Sequence, residues 1–165
     1  MNLRRLLRHW FTDEAKVRRT FPAKALAAIE RAIGESERSH SGQIRFVVEA
    51  SLETGELLRD MTARERAVDV FSHLRVWDTE HNSGVLIYVL LADRDVEIVA
   101  DRGIHRRCGP QTWERICKTM EEAFRTGRFE EGALAGIRAA GERIAEHFPA
   151  QAGATNELSD RPVLL

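Results

Sequence analysis

The chain has 165 residues, 43% of them hydrophobic and 31% charged, with a formal net charge of −1. That length suits one domain around a single sizeable core, and the near-neutral balance gives no global attraction to nucleic acid or to an anionic membrane. No apolar run approaches the roughly 20 residues that a membrane span requires, and the two cysteines, Cys108 and Cys117, match no zinc spacing and are expected to stay thiols.

Charge is unevenly spread along the chain. Residues 1–24 carry seven basic side chains against Asp13 and Glu14. Within them Leu3, Leu6, Leu7, Trp10 and Phe11 recur at helical spacing, with Arg4, Arg5 and Arg8 on the other side. Residues 1–21 therefore read as a basic amphipathic segment, suited to a membrane surface, to the body of the domain or to a partner. No apolar core of signal-peptide length follows the arginines. The chain thus reads as unprocessed and cytoplasmic, with peripheral contact at the inner membrane left open.

Leu26, Ile29, Ala32 and Ile33 predict a helix that starts near Pro22, and Gln43–Ala50 reads as the first strand. Thr62, with Glu65 three places on, is a capping box. It opens a helix with the buried stripe Ala67, Val70, Phe71 and Leu74. Gly84–Leu91 is apolar throughout, as in a strand covered on both faces. Ala92–Asp95 is a tight turn into a third strand, where Val96, Ile98 and Ala100 alternate. A helix from Pro110, with Trp113, Ile116, Cys117, Met120 and Phe124 on its apolar face, and another to about Phe148 complete the body. Residues 150–165 read as a polar, mobile tail in which Val163–Leu165 could dock on a sheet edge. The expected architecture is α/β: a three-layer α/β/α sandwich with a small mixed sheet, formed by residues 22–149.

Right-handed crossover makes the first two strands parallel, and the tight turn makes the third antiparallel to the second. One end of the sheet then carries Glu49, Ser51 and Glu53 with Asp93, Arg94 and Asp95. The other carries Asp78, Thr79, Glu80, His81 and Asn82 before the central strand, and Asp101 and Arg102 after its neighbour. The general rule for open α/β sheets favours the first end, but its charges sit in a turn that needs such residues anyway. The second end draws oxygen-rich side chains from two separate loops, a pattern that suits a hard cation such as Ca²⁺ or Mg²⁺.

"GQIRFVVEASL", "RERAVDVFSHLRVWDTEHNSGVLIYVLLADRDVEIVADRGI" and "GRFEEGALAGIRAAGERIAEHFP", in that order, resemble the TPM domain family. The likeness runs over about residues 25–149 and is nearest the short bacterial form without signal peptide or membrane helix. It implies an α/β/α sandwich, divalent-cation binding in some members, and acid phosphatase activity in the thylakoid ones. Other members act in protein-complex repair or receptor modulation. The family's Asn-Gly element before the central strand corresponds to Asn82-Ser83-Gly84, and its glycine turn to Asp101-Arg102-Gly103. Here a serine separates Asn82 from Gly84, and Asp101-Arg102-Gly103 replaces the usual Gly-Tyr-Gly.

The expected site comprises Asp78, Glu80 and Asp101 as cation ligands, and Thr79, Asn82, Gly84 and Gly103 as further ligand-binding positions. His81 is expected as the acid or base for proton transfer, and Arg102 as a phosphate clamp. The expected function is a binding or assembly module with a divalent-cation or polar-ligand site, working with a protein partner at a membrane-associated complex. The alternative is a metal-assisted acid phosphatase acting on phosphomonoesters. No nucleic-acid motif is present.

Overall fold

The computed structural model describes residues 3–151, 153 and 155–165. Two short helices come first, α1 (Leu3–Trp10) and α2 (Glu14–Thr20); Asp13 caps the second by accepting the Lys16 N–H at 2.8 Å. Helix α3 (Ala23–Glu37) begins after Pro22, an N-cap position where a missing N–H costs nothing. Strand β1 (Gln43–Glu49) leads through the single turn α4 (Thr54–Leu58) to α5 (Ala63–His73). The Thr62–Glu65 capping box is closed in both directions, at 2.8 and 3.1 Å. Strands β2 (Gly84–Leu90) and β3 (Asp95–Ala100) form the hairpin. They are followed by α6 (Arg102–Cys108), α7 (Pro110–Arg125), α8 (Phe129–His147) and the two-residue strand β4 (Val163–Leu164).

The sheet order is β3-β2-β1-β4, with β1 parallel to β2 and β4, and β3 antiparallel to β2. Alternation assigns the faces. Ile44, Phe46 and Val48 of β1 and Val85, Ile87 and Val89 of β2 pack with residues of α2, α3, α6, α7 and α8. Val47, Leu86, Tyr88 and Leu90 pack with α4 and α5 on the other side. The molecule is thus the expected α/β/α sandwich, and every residue of β2 is buried. Phe21, at the end of α2, joins the layers by meeting Phe46, Phe124 and Phe129 edge-on, with centroids 5.8–6.3 Å apart.

Burying all of β2 takes the Tyr88 hydroxyl out of water, so it must have a partner. It donates to Glu49 Oε2 at 2.6 Å, and Arg66 holds the same carboxylate with Nε–Oε2 and Nη2–Oε1 distances of 2.9 and 2.8 Å. Helix α1 is fixed at the same end of the sheet by its basic side. Arg5 Nε and Arg8 Nη2 each donate to the Asp93 carboxylate at 2.9 Å, and His9 Nδ1 accepts the Leu52 N–H at 3.0 Å. That bond leaves the imidazole proton on Nε2, which lies 3.2 Å from Asp93 Oδ2, a close contact without good hydrogen-bond alignment. Burial alone would raise Asp93, but the imidazole of His9 and the guanidinium of Arg5 beside it hold it below the ordinary carboxylate value. Leu6 packs against the core, whereas Leu3, Leu7, Trp10 and Phe11 remain exposed.

Candidate functional site at the amino end of β2

The loop from Trp77 to Ser83 is held by its own polar groups. Thr79 Oγ1 accepts the Ser83 N–H at 2.9 Å, the Thr79 carbonyl accepts the Asn82 N–H at 3.2 Å, and the Ser83 hydroxyl donates to the Ser41 carbonyl at 3.2 Å. Asn82 has φ +50°, a left-handed conformation that asparagine tolerates better than most residues. A Cβ on Gly84 would stand 1.8 Å from the Val76 carbonyl oxygen, so the chain crosses directly over the start of β2. A Cβ on Gly103 would stand 2.9 Å from the Asn82 carbonyl oxygen, which marks where the two loops touch.

Asp101 continues the hairpin by donating its N–H to the Gly84 carbonyl at 2.8 Å, and then caps α6. Its Oδ1 accepts the Arg102 N–H at 2.6 Å. Oδ2 is buried and has no hydrogen-bond partner, in a residue only 7% exposed. An unpaired buried carboxylate oxygen is costly, and such an atom marks a place where a ligand or water belongs.

An opening of about 590 Å³ lies between these loops, lined by Trp77, His81, Asn82, Asp101, Arg102, Gly103 and Arg106. His81, Asn82, Asp101, Arg102 and Gly103 are thus gathered as the sequence indicates. Thr79 is consumed in holding the loop, and Gly84 lies beneath it. Asp78 and Glu80 do not line the opening. Glu80 lines a neighbouring hollow of about 210 Å³ with His81, and its N–H donates to Glu157 Oε2 at 2.8 Å. Among the described residues, no three His, Cys, Asp or Glu side chains are placed to hold a metal ion, so Asp78, Glu80 and Asp101 do not form a three-carboxylate cage.

Sequence reasoning missed Arg106. It follows Arg102 by four residues, so both guanidiniums leave the same side of α6. Neither has an ion-pair partner among the described residues. The opening therefore presents two arginines and an imidazole against one buried carboxylate, a balance that favours anions. A second opening, of about 440 Å³, runs along β3 against α7, where Asp95, Glu97 and Glu121 crowd. Burial, with the charges of Glu121 and Glu97 nearby, pushes Asp95 up to about 6.

The profile of the TPM domain matches residues 12–143. The chain belongs to the TPM domain family. Among solved structures, the NMR structure of the BA42 protein from the psychrophilic bacterium Bizionia argentinensis is 31% identical with a TM-score of 0.75. That alignment covers 87% of this chain and 94% of that one. The N-terminal domain of a protein from P. gingivalis is 17% identical with a TM-score of 0.61, covering 76% and 77% of the two chains, and shares the fold. No curated protein matches the chain. In this TPM domain, no helix among the described residues is long and apolar enough to cross a membrane. Helix α1 and residues 144–165 lie outside the family match.

Proposed function

We propose that this TPM domain is a binding module whose opening at the amino end of β2 takes an anionic group, such as a phosphate or carboxylate, presented by a partner. The observation that carries this reading is the pair Arg102 and Arg106 in one opening with His81. A guanidinium matches the geometry of phosphate and carboxylate oxygens, and Arg102 and Arg106, with no ion-pair partner among the described residues, outnumber the single carboxylate of Asp101 in the opening. By capping α6, Asp101 fixes where the two arginines emerge. The exposed Leu3, Leu7 and Trp10 of α1, with Phe11 just after it, would serve contact with a membrane-associated complex.

The test is thermal denaturation with inorganic phosphate. At a hundred times Kd, one-site binding adds about 2.7 kcal/mol, which raises Tm by roughly 5–10 °C for a chain of this size. Arg102→Gln with Arg106→Gln should abolish the rise. Absence of any phosphate shift in the wild type would refute the reading.

A second reading rests on the unpartnered Oδ2 of Asp101. A Ca²⁺ or Mg²⁺ ion held there would polarise a phosphoryl oxygen, with Arg102 binding the phosphate and His81 handling the proton, as in a phosphomonoester phosphatase. It stands second because the opening offers one carboxylate where protein-bound divalent cations ordinarily have several oxygen ligands. In this case Asp101→Asn removes a Ca²⁺-dependent rise in Tm together with turnover of p-nitrophenyl phosphate.

A further inference from the structure

We infer that the outer edge of β1 is a strand-acceptor site, filled within this chain by the segment from Glu157 to Leu165 and open in exchange to an extended segment of a partner protein. An uncovered strand edge is a template for an added strand. Here the added strand is β4, whose two residues pair in parallel with Val47 and Val48. Leu165 N–H donates to the Val48 carbonyl at 2.9 Å, and Ala50 N–H donates to the Leu165 carbonyl at 3.0 Å.

Farther along the edge, side chains of β1 take over. The Gln43 amide oxygen accepts both the Glu157 and Leu158 N–H groups, at 2.7 and 3.0 Å, and the Arg45 guanidinium donates to the Ser159 carbonyl. All these bonds go to main-chain groups of the occupant, so any extended peptide can make them. Selectivity comes from what the occupant's side chains meet. Leu158 and Val163 pack on the core layer beneath α5, whereas Leu164 packs on the opposite face. The Glu157 carboxylate accepts the Glu80 N–H. The partner segment is therefore an acidic residue followed by leucine, with a Val-Leu pair five residues beyond that leucine.

Three features make the occupant exchangeable. The regular pairing is only two residues long, and Leu165 is 41% exposed. The acceptor strand lies inside the TPM match and the occupant outside it. Phe148 and Ala150 are tied to Ser41 and Ser39 by main-chain hydrogen bonds of 2.9 and 3.2 Å, and the six residues between Ala150 and Glu157 span up to roughly 20 Å, long enough to release the segment without strain. A hinge of that kind does not force exchange with a second copy, as short strained hinges do, which favours a strand from another protein. Such a strand competes with a tethered segment whose effective concentration is about millimolar.

A fluorescent peptide with the sequence of residues 155–165 tests this by anisotropy, against the whole chain in wild-type form and as Val163→Asp/Leu164→Asp. The variant should bind the peptide saturably and at least tenfold more tightly than the wild type. A peptide carrying the same two aspartates should lose tenfold or more. A folded variant that takes up no peptide would overturn the inference, as would equal binding of both peptides. A wild-type dimer that the variant lacks, without peptide uptake by either chain, would also overturn it in favour of exchange between copies. Should the double variant fail to fold, Leu165→Pro, which deletes one N–H of the pairing, carries the same expectation. Peptide uptake is read without phosphate or metal, so its outcome is independent of the sheet-end reading.

Discussion

Gly84 stands where the backbone of Val76 leaves no room for a methyl group, with 1.8 Å to the carbonyl oxygen from an ideal Cβ. Gly84→Ala must displace either β2 or the loop that carries the opening. The expected cost is about 3 kcal/mol or more, read from denaturant unfolding. Asn82 differs, since its constraint is the left-handed backbone at φ +50°. Asn82→Gly should leave stability within about 0.5 kcal/mol of the wild type, whereas Asn82→Val should cost about 1–2 kcal/mol. These residues were legible in the sequence because such backbone demands admit few residue types. Asp78 and Glu80 were legible only as oxygen-bearing composition. Composition says nothing about which way a side chain leaves an irregular loop, and neither lines the opening.

At the scale of elements, the capping box of α5, the apolar run of β2 and the hairpin could be read from pattern and are present. Helices α2, α4 and α6 could not, because five to seven residues complete too few turns to establish a period. The missed α6 is why Arg106 escaped notice. The amphipathic pattern of α1 was legible, but its seating on Asp93 was not, since it depends on contacts some 85 residues apart in sequence. Asp93→Ala removes the acceptor shared by Arg5 and Arg8 and leaves His9 buried without its neighbour. The expected loss is about 2 kcal/mol, with faster hydrogen exchange at the Leu52 amide as the local sign that α1 has loosened.

Helix α3 adds a pH response. Burial, together with the Asp160 charge, pushes Glu37 up from 4.5 to about 7, even though its carboxylate accepts the Ile44 N–H. The folded state then binds this proton more tightly than the unfolded chain does. Stability should therefore fall as pH rises from 4.5 to about 7. Glu37→Gln keeps an acceptor for Ile44 and should flatten that decline in a series of melts across the window.

Across the whole molecule the two ends of the sheet differ in how their charges are used. At the carboxyl end of β1 and β2, Glu49 is bound by Arg66 and Tyr88, and Asp93 by Arg5 and Arg8. At the opposite end Asp101 keeps an unpartnered oxygen, while Arg102 and Arg106 reach the opening with no ion pair among the described residues. The sandwich and strand directions followed from hydrophobic patterning and the handedness of crossovers. The division of labour between the ends did not, because it depends on which charged side chains meet across distant parts of the chain.

The most direct measurement of that division is a ¹⁵N-resolved NMR titration of the whole chain with inorganic phosphate, followed by Ca²⁺. Saturable phosphate-dependent shifts are expected at the amides of Asn82, Arg102 and Gly103, with those of Leu52 and Arg94 at the other end unmoved, and their loss in Arg102→Gln/Arg106→Gln. Saturable shifts with Ca²⁺ alone, or phosphate shifts centred on the Arg5–Asp93 end, would contradict it.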